Sequence, residues 1–191
     1  RAAPAGTSSP DYPAVGSVVL PSDDPLLALA GRTYAVAVGE RTGTTPRVVV
    51  GTADDPAATT VLLGAAGGGD QGYRLTSRGS GVTVEAADRT GAAAGLFQLA
   101  DRMRAGEPLP PFDGTVVEPR LGLRMLDSGA IGVTPDPQAW AAGTDYSHNN
   151  HAFADVMLPD APYVDQAALA AATDDFTAFV DHGVAQGYNA L

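Results

Sequence analysis

The residues best suited to chemistry gather late in the chain, in Arg124-Met125-Leu126-Asp127 and in Tyr146-Ser147-His148-Asn149-Asn150-His151, with Trp140 shortly before. A guanidinium presents fixed N–H donors that fork onto vicinal hydroxyls or onto a carboxylate. Aromatic faces stack on sugar rings, and His, Asn and Ser both donate and accept hydrogen bonds. Arg124, Asp127, Trp140, Tyr146, His148, Asn149 and His151 are therefore the candidate ligand-binding residues, for a polyhydroxylated ligand. The same side chains have structural readings: an Arg124–Asp127 ion pair at a strand end, and turns or caps over 146–151. A zinc site needs more, because no helical His-Glu-x-x-His spans His148 and His151 and no third ligand is apparent. No metal and no cofactor is expected.

Groups that would break a bond are harder to find. No Asp-Glu or Glu-Asp dipeptide occurs, and the paired acids Asp23-Asp24, Asp54-Asp55 and Asp174-Asp175 read as caps and solvated faces. There is no cysteine nucleophile and no Gly-x-Ser-x-Gly elbow; Gly79-Ser80-Gly81 belongs to a hairpin. Gly67-Gly68-Gly69 lacks the Gly-Lys-Ser/Thr that follows in a phosphate loop, and the next element reads as a strand, so a surface loop is expected. The chain carries no assigned catalytic residue.

The elements that position these residues begin after a small-residue, Pro-rich leader over 1–14. Val15–Leu20 reads as a strand, and Asp24 as the cap of a helix with Pro25 at its first position. Beyond Gly31, Ala35-Val36-Ala37-Val38 fits either more helix or a strand. Arg47–Gly51 is a short valine strand, and Pro56–Leu63 is expected as one or two helical turns. From Gly72 the pattern is clearest: Tyr73 and Leu75, then Val82, Val84 and Ala86, alternate with polar neighbours around a glycine turn, the period of a half-buried hairpin. Asp88 caps a helix whose Ala92, Leu96, Leu99 and Met103 form one stripe and which Gly106 ends. Gly91 and Gly95 lower its propensity by roughly 1 kcal/mol each, which points to close approach of helix and sheet.

Glu107-Pro108-Leu109-Pro110-Pro111 reads as a boundary. The expected organisation is a leader (1–14), an α+β domain with helices packed on one face of a small sheet (15–107), a linker (108–118) and a second unit (119–191). In that unit Leu121, Leu123 and Met125 alternate as a strand, Asp165–Gln186 has helical spacing, Gly187 can cap it, and Tyr188-Asn189-Ala190-Leu191 opens a further strand. Strand, helix and strand start make an incomplete first βα unit of a (β/α)8 barrel, whose remainder of the roughly 250 residues would lie beyond Leu191.

Composition narrows the partners. The chain has 191 residues, a net charge of −11 and arginine as its only basic residue besides histidine. An acidic surface argues against nucleic acid and anionic membranes, and no apolar run approaches the roughly 20 residues of a membrane span. The leader is like the sequence just past a secretory cleavage site, so an extracellular location is expected, although a cloning boundary explains the same start.

The phrases Gly72-Tyr73-Arg74-Leu75, Gly81-Val82-Thr83-Val84-Glu85-Ala86-Ala87-Asp88 and Gly91-Ala92-Ala93-Ala94-Gly95-Leu96-Phe97-Gln98-Leu99 resemble the non-catalytic N-terminal domain of family 20 glycoside hydrolases, β-N-acetylhexosaminidases, which is shared in related form with α-glucuronidases. The likeness reaches back to Arg47–Gly51 and forward to Glu118-Pro119-Arg120, and covers about half the chain. It implies an accessory domain followed by the opening of a catalytic barrel, with carbohydrate as substrate of the whole protein. In that family the catalytic Glu of an Asp-Glu pair lies late in the barrel. The phrase Arg124-Met125-Leu126-Asp127 departs from the family's Arg-x-x-Met-Leu-Asp and resembles the Arg-x-Leu-Asn of α-glucuronidases at least as well, which leaves the sugar open. A glycan-binding or structural module without hydrolase activity is the alternative.

Overall fold

The computed structural model describes residues 15–64, 68–107, 109, 111–125 and 156–190. They fall into two compact units, Arg1–Arg120 and Leu121–Leu191.

The first unit has strands β1 (Ser17–Leu20), β2 (Arg47–Val50), β3 (Thr59–Leu63), β4 (Tyr73–Arg78), β5 (Gly81–Ala86) and β6 (Asp113–Val117), with helices α1 (Pro25–Thr42) and α2 (Arg89–Ala105). The sheet order is β2-β1-β3-β5-β4-β6. β2, β1, β3 and β5 run parallel, and β4 is antiparallel to both β5 and β6. It is an α+β fold with a mixed sheet.

Both helices lie on one sheet face. Gly31 of α1 packs on Leu20 and Val48, and Gly95 of α2 on Val84 and Tyr73. Strand register places Leu20 and Val84 on the same side through Val18, Thr59 and Val82. Val18, Leu20, Leu27, Tyr34, Val38, Val61, Val84, Leu96, Leu99 and Met103 fill the layer between. Each large apolar side chain buried there contributes about 1.5–3 kcal/mol. The Tyr34 hydroxyl, buried in that layer, accepts from Thr59 Oγ1 at 3.3 Å, and burial raises the phenol above its ordinary pKa. On the opposite face the paired residues Arg74 and Glu85 form an ion pair.

Helix boundaries follow side-chain chemistry. The Asp24 carboxylate accepts from the N–H groups of Leu26 and Leu27 at 2.9 and 3.3 Å. At the other end Gly43, at φ 79°, donates to the Gly39 carbonyl. The segment Ala35–Val38, open to either reading in the sequence, continues α1, because Tyr34, Ala35, Ala37 and Val38 are buried together. In α2 the Asp88 carboxylate accepts from Gly91 N–H at 2.9 Å, and Gly106 ends the helix at φ 72°. Ala92, Leu96, Leu99 and Met103 are all fully buried. A Cβ on Gly91 would fall on the Gly72 carbonyl, and one on Gly95 would lie 2.6 Å from Val84 Cγ1. Close approach is thus the reason for both glycines.

Two expectations are corrected. Pro56–Leu63 is not helical: Asp55 closes a turn by accepting from Ala57 N–H at 3.0 Å, and Thr59–Leu63 then forms a central strand between β1 and β5. Two threonines and a valine in succession favour a pleated conformation, and parallel neighbours on both sides supply the ladder. The segment 108–118, read as linker, carries β6. This strand pairs with β4 through a bulge, and Phe112 and Ser77 exchange hydrogen bonds at its start.

In the second unit, α3 (Gln166–Ala185) is capped by Asp165, which accepts from Ala167 and Ala168 N–H. Phe179 is fully buried and meets Phe176 at 5.8 Å between ring centroids. Gly187 leaves the helix at φ 92°. Of the strand expected over 120–127, the described residues show one parallel bridge, Met125 to Ala190. Leu121, Leu123 and Met125 are 67, 65 and 60% exposed.

Candidate functional site

Of the seven candidate residues, Asp127, Trp140, Tyr146, His148, Asn149 and His151 lie outside the described residues. Arg124 is described, and its surroundings are those of a backbone clasp. Its Nε donates to the Gly187 carbonyl and its Nη1 to the Leu121 carbonyl. Its own backbone N–H donates to Asn189 Oδ1 at 2.8 Å, and its carbonyl accepts from Asn189 and Ala190 N–H at 2.9 and 3.2 Å. The Asn189 Nδ2 donates to the Gly122 carbonyl at 2.7 Å. Arg124 and Asn189 therefore bring the segment 121–125 against 187–190 within the second unit. The sequence shows Tyr188-Asn189-Ala190 only as a strand start. A side-chain bond to a backbone 65 residues away leaves no spacing signal.

Two of the other acids singled out in the sequence, Asp24 and Asp55, have structural partners. Asp24 joins the α1 cap to Arg89 of α2 at 3.0 Å, and that hydrogen bond, with those from Leu26 and Leu27, holds its carboxyl below the ordinary value. Asp55 closes its turn and accepts from Ser17 Oγ at 3.1 Å. Asp174 and Asp175 lie within α3. In the glycine loop, Gly69 N–H donates to Glu118 Oε1 at 2.7 Å, which ties the loop to the end of β6.

Asp101 is raised by burial and Asp113 is lowered by hydrogen bonds from Thr115. The first lies on α2 and the second starts β6. Among the described residues no group of three His, Cys, Asp or Glu side chains could hold a metal ion. No described helix is long and apolar enough to cross a membrane. A hollow of about 230 Å³ opens beside the β4–β5 turn, lined by Val15, Thr59, Gly79, Val82 and Pro111 among others, without a charged side chain. The described polar side chains named above cap helices, close turns and tie segments together.

No protein-family model matches the chain, and no curated protein matches it. Among solved structures it is similar to a β-hexosaminidase of Streptomyces plicatus, at 22% identity and a TM-score of 0.48 over 71% of this chain and 29% of that one. A chitobiase of Flavobacterium johnsoniae is similar at 16% identity and a TM-score of 0.48, over 88% of this chain and 30% of that one. A family 138 glycoside hydrolase targeting pectin rhamnogalacturonan II is similar at 18% identity and a TM-score of 0.46, over 91% and 30%. The chain thus spans less than a third of the length of these enzymes.

Proposed function

We propose that this chain is the N-terminal accessory domain and the opening of the barrel of a carbohydrate-active glycoside hydrolase, β-N-acetylhexosaminidase-like or α-glucuronidase-like, and that it is non-catalytic by itself. The observation that carries this reading is the role of the residues on which the family resemblance rests. Gly72 and Gly91 meet backbone to side, Gly95 seats α2 on Val84 and Tyr73, and Asp88 caps α2 while accepting from Gln71 N–H at 2.8 Å. These four motif residues have packing or capping tasks, which supports a scaffold role for the motif. The parallel bridge from Met125 to Ala190 across α3 favours a βα unit in the second part.

In this reading carbohydrate contacts fall to Asp127 and the segment from Trp140 to His151. The Arg124 Nε and Nη1 are engaged by the Gly187 and Leu121 carbonyls, which fix its guanidinium.

The test is hydrolysis of fluorogenic N-acetyl-β-glucosaminide and glucuronide by this chain and by the polypeptide of its complete reading frame. The chain alone should be inert and the complete polypeptide active on one substrate. Turnover by the chain, or an inert complete protein, would sink the proposal. Saturable binding of either sugar by an inert complete protein would favour a glycan-binding module.

A further inference from the structure

A parallel strand pair follows a fixed rule. A residue on one strand donates its N–H to the carbonyl before its partner, and its own carbonyl accepts from the N–H after that partner. The bridge of Met125 to Ala190 obeys it, with Ala190 N–H donating to the Arg124 carbonyl at 3.2 Å. One step upstream the pair would be Leu123 with Tyr188, and Tyr188 would have to donate to Gly122 and accept from Arg124. Its N–H is committed elsewhere, because it ends α3 by donating to the Gly183 carbonyl at 3.1 Å. Those two bonds are made instead by the Asn189 side chain. Nδ2 donates to the Gly122 carbonyl at 2.7 Å, and Oδ1 accepts from the Arg124 N–H at 2.8 Å.

We infer that Asn189 is a positioning residue whose carboxamide replaces one backbone step of the ladder, freeing Tyr188 to cap α3, and that with the Arg124 guanidinium it forms a latch setting the register between 121–125 and 187–190. A carboxamide suits the task because it carries the N–H donor and C=O acceptor of a peptide group in one plane. Arg124 completes the latch from the other side by binding the Gly187 and Leu121 carbonyls. Both carbonyls precede the bridged pair in their segments, so the guanidinium lies toward the strand starts. If the barrel reading above holds, on which this consequence alone rests, that is the end away from the catalytic face. Arg124 is then a positioning residue and leaves sugar binding to others.

The test is amide hydrogen exchange on the whole chain by NMR, in the absence of sugar, so that its outcome is independent of any hydrolase activity. The wild-type Arg124 N–H should be protected. In Asn189→Leu, of similar size, its protection factor should fall about tenfold or more while amides in the middle of α3 and in β4–β5 stay within about twofold. Asn189→Asp keeps the acceptor and should retain more protection at Arg124 than Asn189→Leu. An unprotected wild-type amide, an unchanged Asn189→Leu, equal losses in both variants, or a loss spread evenly through α3 would each overturn the latch. For Arg124, titration with N-acetylglucosamine or glucuronic acid should leave its Nε–H resonance unmoved, and a saturable shift would overturn its positioning role.

Discussion

A missing methyl group decides how near α2 lies to the sheet. At Gly91 the obstacle to a side chain is the Gly72 carbonyl, which also accepts from Ala87 N–H at 3.3 Å and so cannot yield as a rotamer would. Gly91→Ala gains roughly 1 kcal/mol of helix propensity against an overpacking cost of about 1–3 kcal/mol. With a backbone group as the obstacle, the net should be a loss of about 2 kcal/mol, read as a lower denaturant midpoint. Asp24 offers a charge test at the same scale. Arg89 opens α2, where a positive charge opposes the helix dipole, and the Asp24 carboxylate offsets it. Since the folded carboxyl titrates below its unfolded value of about 3.9, its stabilisation is complete above that pH and is lost as pH falls through the lower folded value. Asn caps as well as Asp. Asp24→Asn should therefore cost at most about 1 kcal/mol near neutral pH, and the two proteins should converge as the pH falls through the lowered folded value of the Asp24 carboxyl.

At the scale of elements, β3 and β6 show where local pattern and tertiary pairing part. Thr59-Thr60-Val61-Leu62-Leu63 has no alternation to mark it as a strand, because its surroundings are set by β1 and β5 on either side. A strand bordered on both edges tolerates no proline. Val61→Pro should remove more than about 3 kcal/mol and abolish the cooperative thermal transition of the first unit, followed by far-ultraviolet circular dichroism. For β6 the misleading signal was the proline run, which follows the Gly106 cap of α2 but precedes a strand that returns to the same sheet. The hairpin and α2 were legible residue by residue, since turn glycines, alternation, cap and stripe are all local and agree.

For the whole molecule the division into Arg1–Arg120 and Leu121–Leu191 has a direct consequence. A fragment of residues 15–120 should unfold as one cooperative transition, whereas 15–107 lacks β6 and turns β4 into an edge strand. Because Tyr73 and Arg74 lose their partners Val117 and Val116, the shorter fragment should melt several degrees lower, by about 4–8 °C for each kcal/mol lost. Equal melting temperatures would mean that β6 adds nothing to the fold.

By itself the sequence determined the α+β class, the Asp24 cap of α1, the Asp88 and Gly106 caps of α2, the β4–β5 hairpin and the need for glycine at 91 and 95. These depend on neighbours a few residues apart and on steric rules that hold in any fold. Only the tertiary structure decided that β3 is a central strand, that β6 joins the first sheet, that α1 runs through Ala35–Val38, and that Arg124 is clasped by Asn189, Gly187 and Leu121. The bonds and burial responsible join residues tens of positions apart, and residue type alone does not record which distant backbone group a guanidinium or a carboxamide will meet.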